Sequence, residues 1–275
     1  MLNTGSIDMK PFLKWVGGKY KIIDKIKTFL PKGKRLIEPF VGSGAVFLNT
    51  NYPKYTLADN NKDLIKLFKI LKREKQTFIK YCAKFFEHKY NTEEMYLEKR
   101  ELFNTTNNLR LKAALFLYLN KHAFNGLMRF NSKGKFNVPF GRYTKPYFPK
   151  NEMINFTNKL HKARIQHQDF MRTMSQAQHG DVVYCDPPYV PLSRTSNFTM
   201  YNANGFHKDE QQKLVTKAND LANRNITVII SNHDTEFVQQ AYKNADKIDY
   251  FNVQRYISCQ GHNRKKAKEI LAIFE

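Results

Sequence analysis

Asp186, Pro187, Pro188 and Tyr189 follow the apolar run Val182-Val183-Tyr184-Cys185. A β-branched and aromatic run stopped by two prolines reads as a buried parallel strand ending at its carboxyl edge, where open α/β sheets bind ligands. Proline carries no N–H, so the Asp186 carboxylate and the Pro187 carbonyl can face outward as acceptors with no proline amide competing for them. Two acceptors beside a flat ring suit a planar group bearing an –NH2, such as a nucleobase stacked on Tyr189 that donates its amino hydrogens to Asp186 and Pro187. The plain alternative is a proline-stiffened turn with Tyr189 as packing.

Two earlier segments set glycine and charge beside apolar runs. In Phe12-Leu13-Lys14-Trp15-Val16-Gly17-Gly18-Lys19-Tyr20 a Gly-Gly turn brings backbone N–H groups and a cation together, which suits a carboxylate or phosphate. It is not a P-loop, because only Gly17-Gly18-Lys19 is present and Tyr20 stands where a magnesium-binding hydroxyl is needed. Trp15 as core in an ordinary turn is the competing reading. In Arg35-Leu36-Ile37-Glu38-Pro39-Phe40-Val41-Gly42-Ser43-Gly44 a short strand enters a glycine turn ahead of a helix. Gly42 and Gly44 allow a sharp bend and close approach of backbone to ligand. A second strand, Tyr55-Thr56-Leu57-Ala58, ends in Asp59, placed to accept two ribose hydroxyls.

These sites need elements to position them. Apolar residues recur at helical spacing from 61 to about 122, and no glycine occurs between Gly44 and Gly126, as expected of a helical bundle inserted after Asp59. Residues 123–143 then form two aromatic/polar runs around Ser132-Lys133-Gly134-Lys135, which predicts a β-hairpin. In it Phe124 is an exposed aromatic, with Arg129, Asn131 and Arg142 as polar arms. Arginine can pair with guanine, asparagine with adenine or phosphate, and an aromatic can enter a base stack. A hairpin whose aromatics are core is the alternative. Strands are expected at 164–167, 181–185, 226–231, 248–253 and 269–274, which with the two early ones makes seven. Helices are expected at 20–30, 151–162, 208–224 and 235–244. The long polar stretch 190–204 is expected to be a lid over substrate.

The chain of 275 residues carries 46 Lys and Arg against 24 Asp and Glu, a net charge of +22. That surplus favours a polyanionic partner, nucleic acid first, with lysine bias in an AT-rich genome as the competing explanation. Cys82, Cys185 and Cys259 are isolated and the eight histidines form no HxxxH pair, so neither a disulfide framework nor a metal site is expected. No run approaches a membrane span and the first ten residues lack a signal-type core, so a cytoplasmic location is expected.

The set FLKWVGGK (12–19), EPFVGSG (38–44), LAD (57–59), NGLMRFN (125–131), NVPFGRY (137–143) and DPPYVPLS (186–193) resembles the Dam-type DNA adenine-N6 methyltransferases that act on GATC, in the same order over nearly the whole chain. The resemblance implies an α/β fold: a Rossmann-like seven-stranded class I methyltransferase sheet with an inserted helical-bundle plus β-hairpin DNA-recognition domain. Residues 1–60 and 150–275 would be the catalytic domain binding S-adenosyl-L-methionine, and 61–149 the recognition domain, with its hairpin at about 123–144. Trp15, Lys19, Phe40, Gly42 and Gly44 would surround the methionine part of the cofactor and Asp59 its ribose. Asp186 would lie between cofactor and a flipped adenine, with Pro187 and Tyr189 completing the catalytic set.

On the DNA side the resemblance implies Lys14 and Arg129 as readers of the outer guanines. Leu127 and Pro139 match apolar contacts to the inner pairs, and Phe124 an inserting aromatic. Lys121, Asn125, Asn131, Arg142 and Tyr143 match backbone or flanking contacts. Phe124 stands where tyrosine is expected and Lys121 where arginine is, so a hydroxyl and a two-pronged phosphate contact are lost. The partner implied is double-stranded DNA, met by a monomer without metal. The rival readings are a catalytically silent DNA-binding protein and an amino-methyltransferase acting on RNA or a protein amide.

Overall fold

A computed structural model describes residues 8–189, 206–254 and 266–275. Seven strands form one mixed sheet in the order β3-β2-β1-β4-β5-β7-β6. They are β1 (Arg35–Glu38), β2 (Lys54–Asp59), β3 (Ala163–His167), β4 (Asp181–Cys185), β5 (Thr227–His233), β6 (Lys247–Gln254) and β7 (Lys266–Phe274). The first five are parallel to one another, whereas β7 runs antiparallel to both β5 and β6. This is the Rossmann-like seven-stranded α/β sheet expected from the sequence. β4 reads Asp-Val-Val-Tyr-Cys and is buried along its whole length, as a strand covered on both faces must be. At the opposite edge from the site, the Arg35 guanidinium pairs with the Asp181 carboxylate, pinning β1 to β4.

Helices α1 (Ile23–Phe29) and α2 (Ala45–Asn49) flank β1. Between β2 and β3 lie α3 (Lys62–Glu74), α4 (Gln76–Ala83), α5 (Glu93–Thr105), α6 (Leu109–His122) and α7 (Lys150–Lys159). Asn61 starts α3 by accepting the backbone N–H groups of Asp63 and Leu64. α6 is the axis of the inserted bundle, since every residue from Ala113 to His122 is buried. α8 (Phe170–Met174) follows β3, and α9 (Lys208–Ala222) and α10 (Glu236–Ala241) flank β5. α8 was not foreseen, because five residues are too few to show a helical period.

The sheet and the inserted helices share one hydrophobic cluster, which runs from Phe12 and Leu36 through Phe68 and Phe156 to Leu115 and Tyr118. Phe156 on α7 is its junction: its ring lies 5.1 Å from Phe12, 5.2 Å from Phe47 and 4.8 Å from Phe68. A Cβ on Gly44 would fall 2.7 Å from that ring, and Gly44 itself has a φ of +72°, so two constraints select glycine there.

The expected hairpin at 123–144 is an arm with far less ladder than predicted. Its two sides meet in single antiparallel bridges, Ala123 with Phe140 and Phe130 with Phe136. Between the bridges six residues on one side, 124–129, stand against three on the other, 137–139. The surplus is taken up by a 3-10 turn over Phe124–Gly126, where Asn125 and Gly126 have φ values of +55° and +66°. Side chains of the bundle replace the missing ladder. Asn104 accepts the Phe136 N–H and donates to its carbonyl, and Tyr96 donates to the Val138 carbonyl. The expected lid at 190–204 lies outside the described residues.

Phe156→Ala should cost about 3–5 kcal/mol of unfolding free energy, because it opens a cavity between sheet and bundle together. Chemical denaturation followed by far-UV circular dichroism measures this.

Candidate active site

β1 and β4 lie side by side, yet the chain leaves β1 toward β2 on one flank and returns to β4 from β3 on the other. Such a switch point opens a crevice at the carboxyl ends of the strands. The turn after β1 (residues 39–44), Asp59 at the end of β2 and residues 186–189 after β4 all lie at that edge.

Asp186 is the centre of the polar network. Lys19, only 5% exposed, puts its ammonium 2.9 Å from Asp186 Oδ1, donates to the Gly17 carbonyl at 2.6 Å and lies 4.5 Å from the Tyr189 ring centre. The Ser231 hydroxyl at the end of β5 donates to the same Oδ1 at 3.0 Å. One carboxylate oxygen is therefore committed to two donors, and Oδ2 has no partner among the described residues. The Tyr189 hydroxyl donates to Glu269 Oε2 on β7 at 3.1 Å, and its ring meets His233 edge-on at 4.5 Å. Pro187 is buried, and the Pro188 carbonyl accepts from Gln211 Nε2 at 3.0 Å. The DPPY segment is thus held from the glycine turn, from β5, from β7 and from α9.

The expected cofactor residues gather around the same crevice. Asp59 accepts the Gly42 N–H at 3.0 Å on one oxygen and the Asn61 N–H at 2.9 Å on the other, which leaves lone pairs for two hydroxyls. Burial raises its pKa against those backbone donors. Phe40 stacks on Phe170 at 5.4 Å and is half-buried. The glycines expected to admit a ligand also admit protein, since a Cβ on Gly42 would sit 2.8 Å from Trp15 Nε1. Lys19, expected near the cofactor's methionine part, is engaged by Asp186. Glu38, at the carboxyl end of β1, is 2% exposed and its Oε1 has no hydrogen-bond partner. An orphaned carboxyl oxygen and a diol-accepting aspartate fit a nucleoside ligand that also carries an amino group.

The expected recognition residues divide into two groups on the arm. Lys14, Phe124, Leu127, Pro139 and Tyr143 meet at its base: the Lys14 ammonium lies 4.2 Å from the Tyr143 ring centre, and the Phe124 N–H donates to the Pro139 carbonyl at 2.9 Å. Phe124 is 51% exposed, an unusual position for so large an apolar ring. Asn125 and Pro139 are exposed and Leu127 is half-buried. Toward the tip, Arg129 donates to Asn137 Oδ1 at 3.0 Å, and Asn131 accepts the N–H groups of Lys133 and Lys135. Asn131 therefore shapes the turn. Arg142 is exposed and reaches Glu93 at 3.4 Å. Lys121 is 7% exposed at the end of α6, and burial together with Lys14 pulls its ammonium down to about 8.

Sequence reasoning passed over Glu38, Ser231, Gln211, Glu269 and Asn120. The first two and Glu269 sit at strand ends on the ligand edge, a signal that the polar run Ser231-Asn232-His233-Asp234 after Ile229-Ile230 carried openly. Gln211 and Asn120 lie on helices, and only tertiary structure reveals their partners. Among the described residues, no three His, Cys, Asp or Glu side chains gather as a metal site, and no helix is long and apolar enough to cross a membrane.

Desolvation pushes Glu38 up to about 8, with Lys159 opposing and Asp186 adding to the shift. A carboxyl whose folded pKa lies above its unfolded value contributes stability in full below the unfolded value and loses it as pH rises through the folded one. Unfolding free energy should therefore fall between pH about 4.5 and 8, by about 3–5 kcal/mol more than in Glu38→Gln. Denaturant titrations of both proteins at several pH values test this, and parallel pH profiles would contradict it.

Comparison with known proteins accords with this geometry. Residues 15–257 match the family described as D12 class N6 adenine-specific DNA methyltransferase. The chain is 46% identical to the DNA adenine methylase of Escherichia coli K12 over 97% of its own length and 95% of that protein's. It is 45% identical to that of Vibrio cholerae O395 over 96% of each, and 46% identical to that of Serratia marcescens over 96% of this chain and 98% of the relative. Among solved structures, a precorrin 8w decarboxylase from Methanobacterium thermoautotrophicum gives a TM-score of 0.39 at 8% identity, covering 93% of this chain and 89% of that one, too slight a likeness to carry weight. With a family match across most of its length and relatives at this identity end to end, the chain belongs to the D12 class N6 adenine-specific DNA methyltransferases and is an adenine-specific DNA methyltransferase.

Proposed function

We propose that this enzyme methylates adenine N6 within GATC in double-stranded DNA, using S-adenosyl-L-methionine and a target base flipped out of the duplex. The reading rests on one observation above all. The Asp186 carboxylate is fixed through Oδ1 by Lys19 and Ser231, which leaves Oδ2 for a donor, and the Tyr189 ring lies in the same cluster.

When bound, S-adenosyl-L-methionine would supply an electrophilic sulfonium methyl, with Asp59 placed to hold its ribose and the 39–44 turn, Trp15 and Glu38 its amino-acid end. The protein's own task is to make a poor nucleophile usable. The adenine amino lone pair is delocalised into the ring, and the amine is stacked inside the duplex. Extruding the base costs a few kcal/mol, and stacking on Tyr189 offsets part of that cost. Asp186 Oδ2 and the Pro187 carbonyl accept the amino hydrogens, which favours a more tetrahedral nitrogen with a directed lone pair. Lys19 and Ser231 stop the carboxylate from turning away.

On the DNA side, Lys14 and Arg129 read the outer guanines, Leu127 and Pro139 contact the inner pairs, and Phe124 enters the stack. Asn125, Asn131, Arg142 and Tyr143 flank them. Residues 61–149 act as the recognition unit and residues 1–60 and 150–275 as the catalytic one, within a monomer in a bacterial cytoplasm. The half-exposed Phe124 ring supports the wedge role, and the net charge of +22 supports a polyanionic substrate.

Methyl transfer from labelled S-adenosyl-L-methionine to two duplexes, one with GATC and one with the site scrambled, should label only the first. Asp186→Ala should abolish transfer while leaving duplex affinity nearly unchanged. Equal labelling of both duplexes would remove the GATC assignment, and loss of binding in step with activity would remove Asp186 from the chemistry. Arg129→Ala should relax choice at one outer pair by about 1–3 kcal/mol in kcat/KM, read from duplexes changed at each pair in turn.

A further inference from the structure

Asn120 is completely buried on α6, and each hydrogen bond of its side-chain amide goes to backbone outside that helix. Its Oδ1 accepts the Lys14 N–H at 2.9 Å, and its Nδ2 donates to the Lys14 carbonyl at 2.7 Å and to the Gly126 carbonyl at 3.2 Å. The amide thus pairs with both polar groups of one residue, as a neighbouring β-strand would, and adds a third bond to the turn that carries Phe124. Three chain segments meet there: the stretch ahead of the Gly-Gly turn, the axis of the bundle, and the base of the arm.

The fit at this junction is close. Gly126 has a φ of +66°, and a Cβ on it would lie 2.4 Å from Lys14 Cδ and 2.7 Å from Lys14 Cβ. The Lys14 stem therefore runs against bare backbone, and its ammonium ends over the Tyr143 ring. Lys14 itself is exposed, and both polar groups of its backbone bond to the Asn120 amide at this junction. An amide that saturates both backbone groups of Lys14 holds that origin against sliding along α6 or rotating about it.

We propose that Asn120 is a positioning residue for sequence reading, which sets Lys14 relative to the 124–126 turn so that the lysine meets one outer base pair of the target. The proposal rests on the reading of Lys14 given above. Asn120 touches no DNA in it and acts only through Lys14 and the turn. Arg129, held by Asn137 farther along the arm, is outside its reach.

The test is a double-mutant cycle on discrimination, measured as the ratio of kcat/KM on GATC to that on duplexes altered at each outer pair. Lys14→Ala first identifies the pair that Lys14 reads. Asn120→Leu should lower discrimination at that pair at least tenfold, leave the other pair within twofold, and add almost nothing in the Lys14→Ala background. Gly126→Ala, which keeps the Asn120 side chain but crowds the Lys14 stem and the Asn120 carbonyl, should fail at the same pair and serves if the leucine variant does not fold. Equal loss at both pairs, or additive losses in the double mutant, would overturn the proposal by showing only general loosening. Unchanged discrimination in Lys14→Ala would instead show that the reading of Lys14 is wrong, and the role of Asn120 would fall with it. Affinity for S-adenosyl-L-methionine, measured by calorimetry, should stay within twofold in every variant.

Discussion

The Lys19 ammonium is the cation on which the crevice is assembled. It is almost wholly withdrawn from water, and the Asp186 carboxylate, the Gly17 carbonyl and the Tyr189 ring replace the water it gives up. A buried ion pair of this kind contributes little net stability, but removing either partner strands the other charge in a poor solvent. The glycine turn and the DPPY segment are consequently specified together, although 167 positions separate them in the chain. Ser231, itself fully buried, repeats the constraint from β5, so Asp186 is oriented by two elements that have no other business with each other.

The stretch 12–19 carries this constraint outward. One of its lysines, Lys14, belongs to the base of the arm, and the other, Lys19, to the crevice, only five residues apart. Phe12 between sheet and bundle anchors the same stretch in the common core. The arm is tied to the bundle by side chains. It has two isolated bridges where a ladder was expected, and the side-chain amides of Asn91, Asn104 and Asn120 add bonds to its backbone from the bundle. Its shape is therefore set by the helices beneath it more than by its own turn.

This division explains what the sequence made legible. Strands came through because β1, β4 and β5 are continuous apolar runs with sharp ends, and their ends were the ligand edge. Asp59, Asp186 and Tyr189 were visible for the same reason. The arm misled because alternating aromatics signal a hairpin wherever the partner groups come from, and only the fold shows that asparagines supply them. The burial of Lys121 was not legible, because periodicity cannot reveal that the last three turns of α6 are enclosed on every side. Glu38 was read as part of a strand, since desolvation has no sequence signature.

The place of β7 has a consequence for how the molecule comes into being. It is the last strand in the chain, yet it lies between β5 and β6 and pairs antiparallel with both. As the chain leaves the ribosome, β5 thus has an open, strongly apolar edge until residues 266–274 emerge, and Glu269, the partner of Tyr189, arrives only then. Non-local closure of this kind is slow, and an unpaired edge invites pairing between nascent chains. Synthesis rate and chaperone supply while that edge stands open are therefore expected to affect the yield of active enzyme.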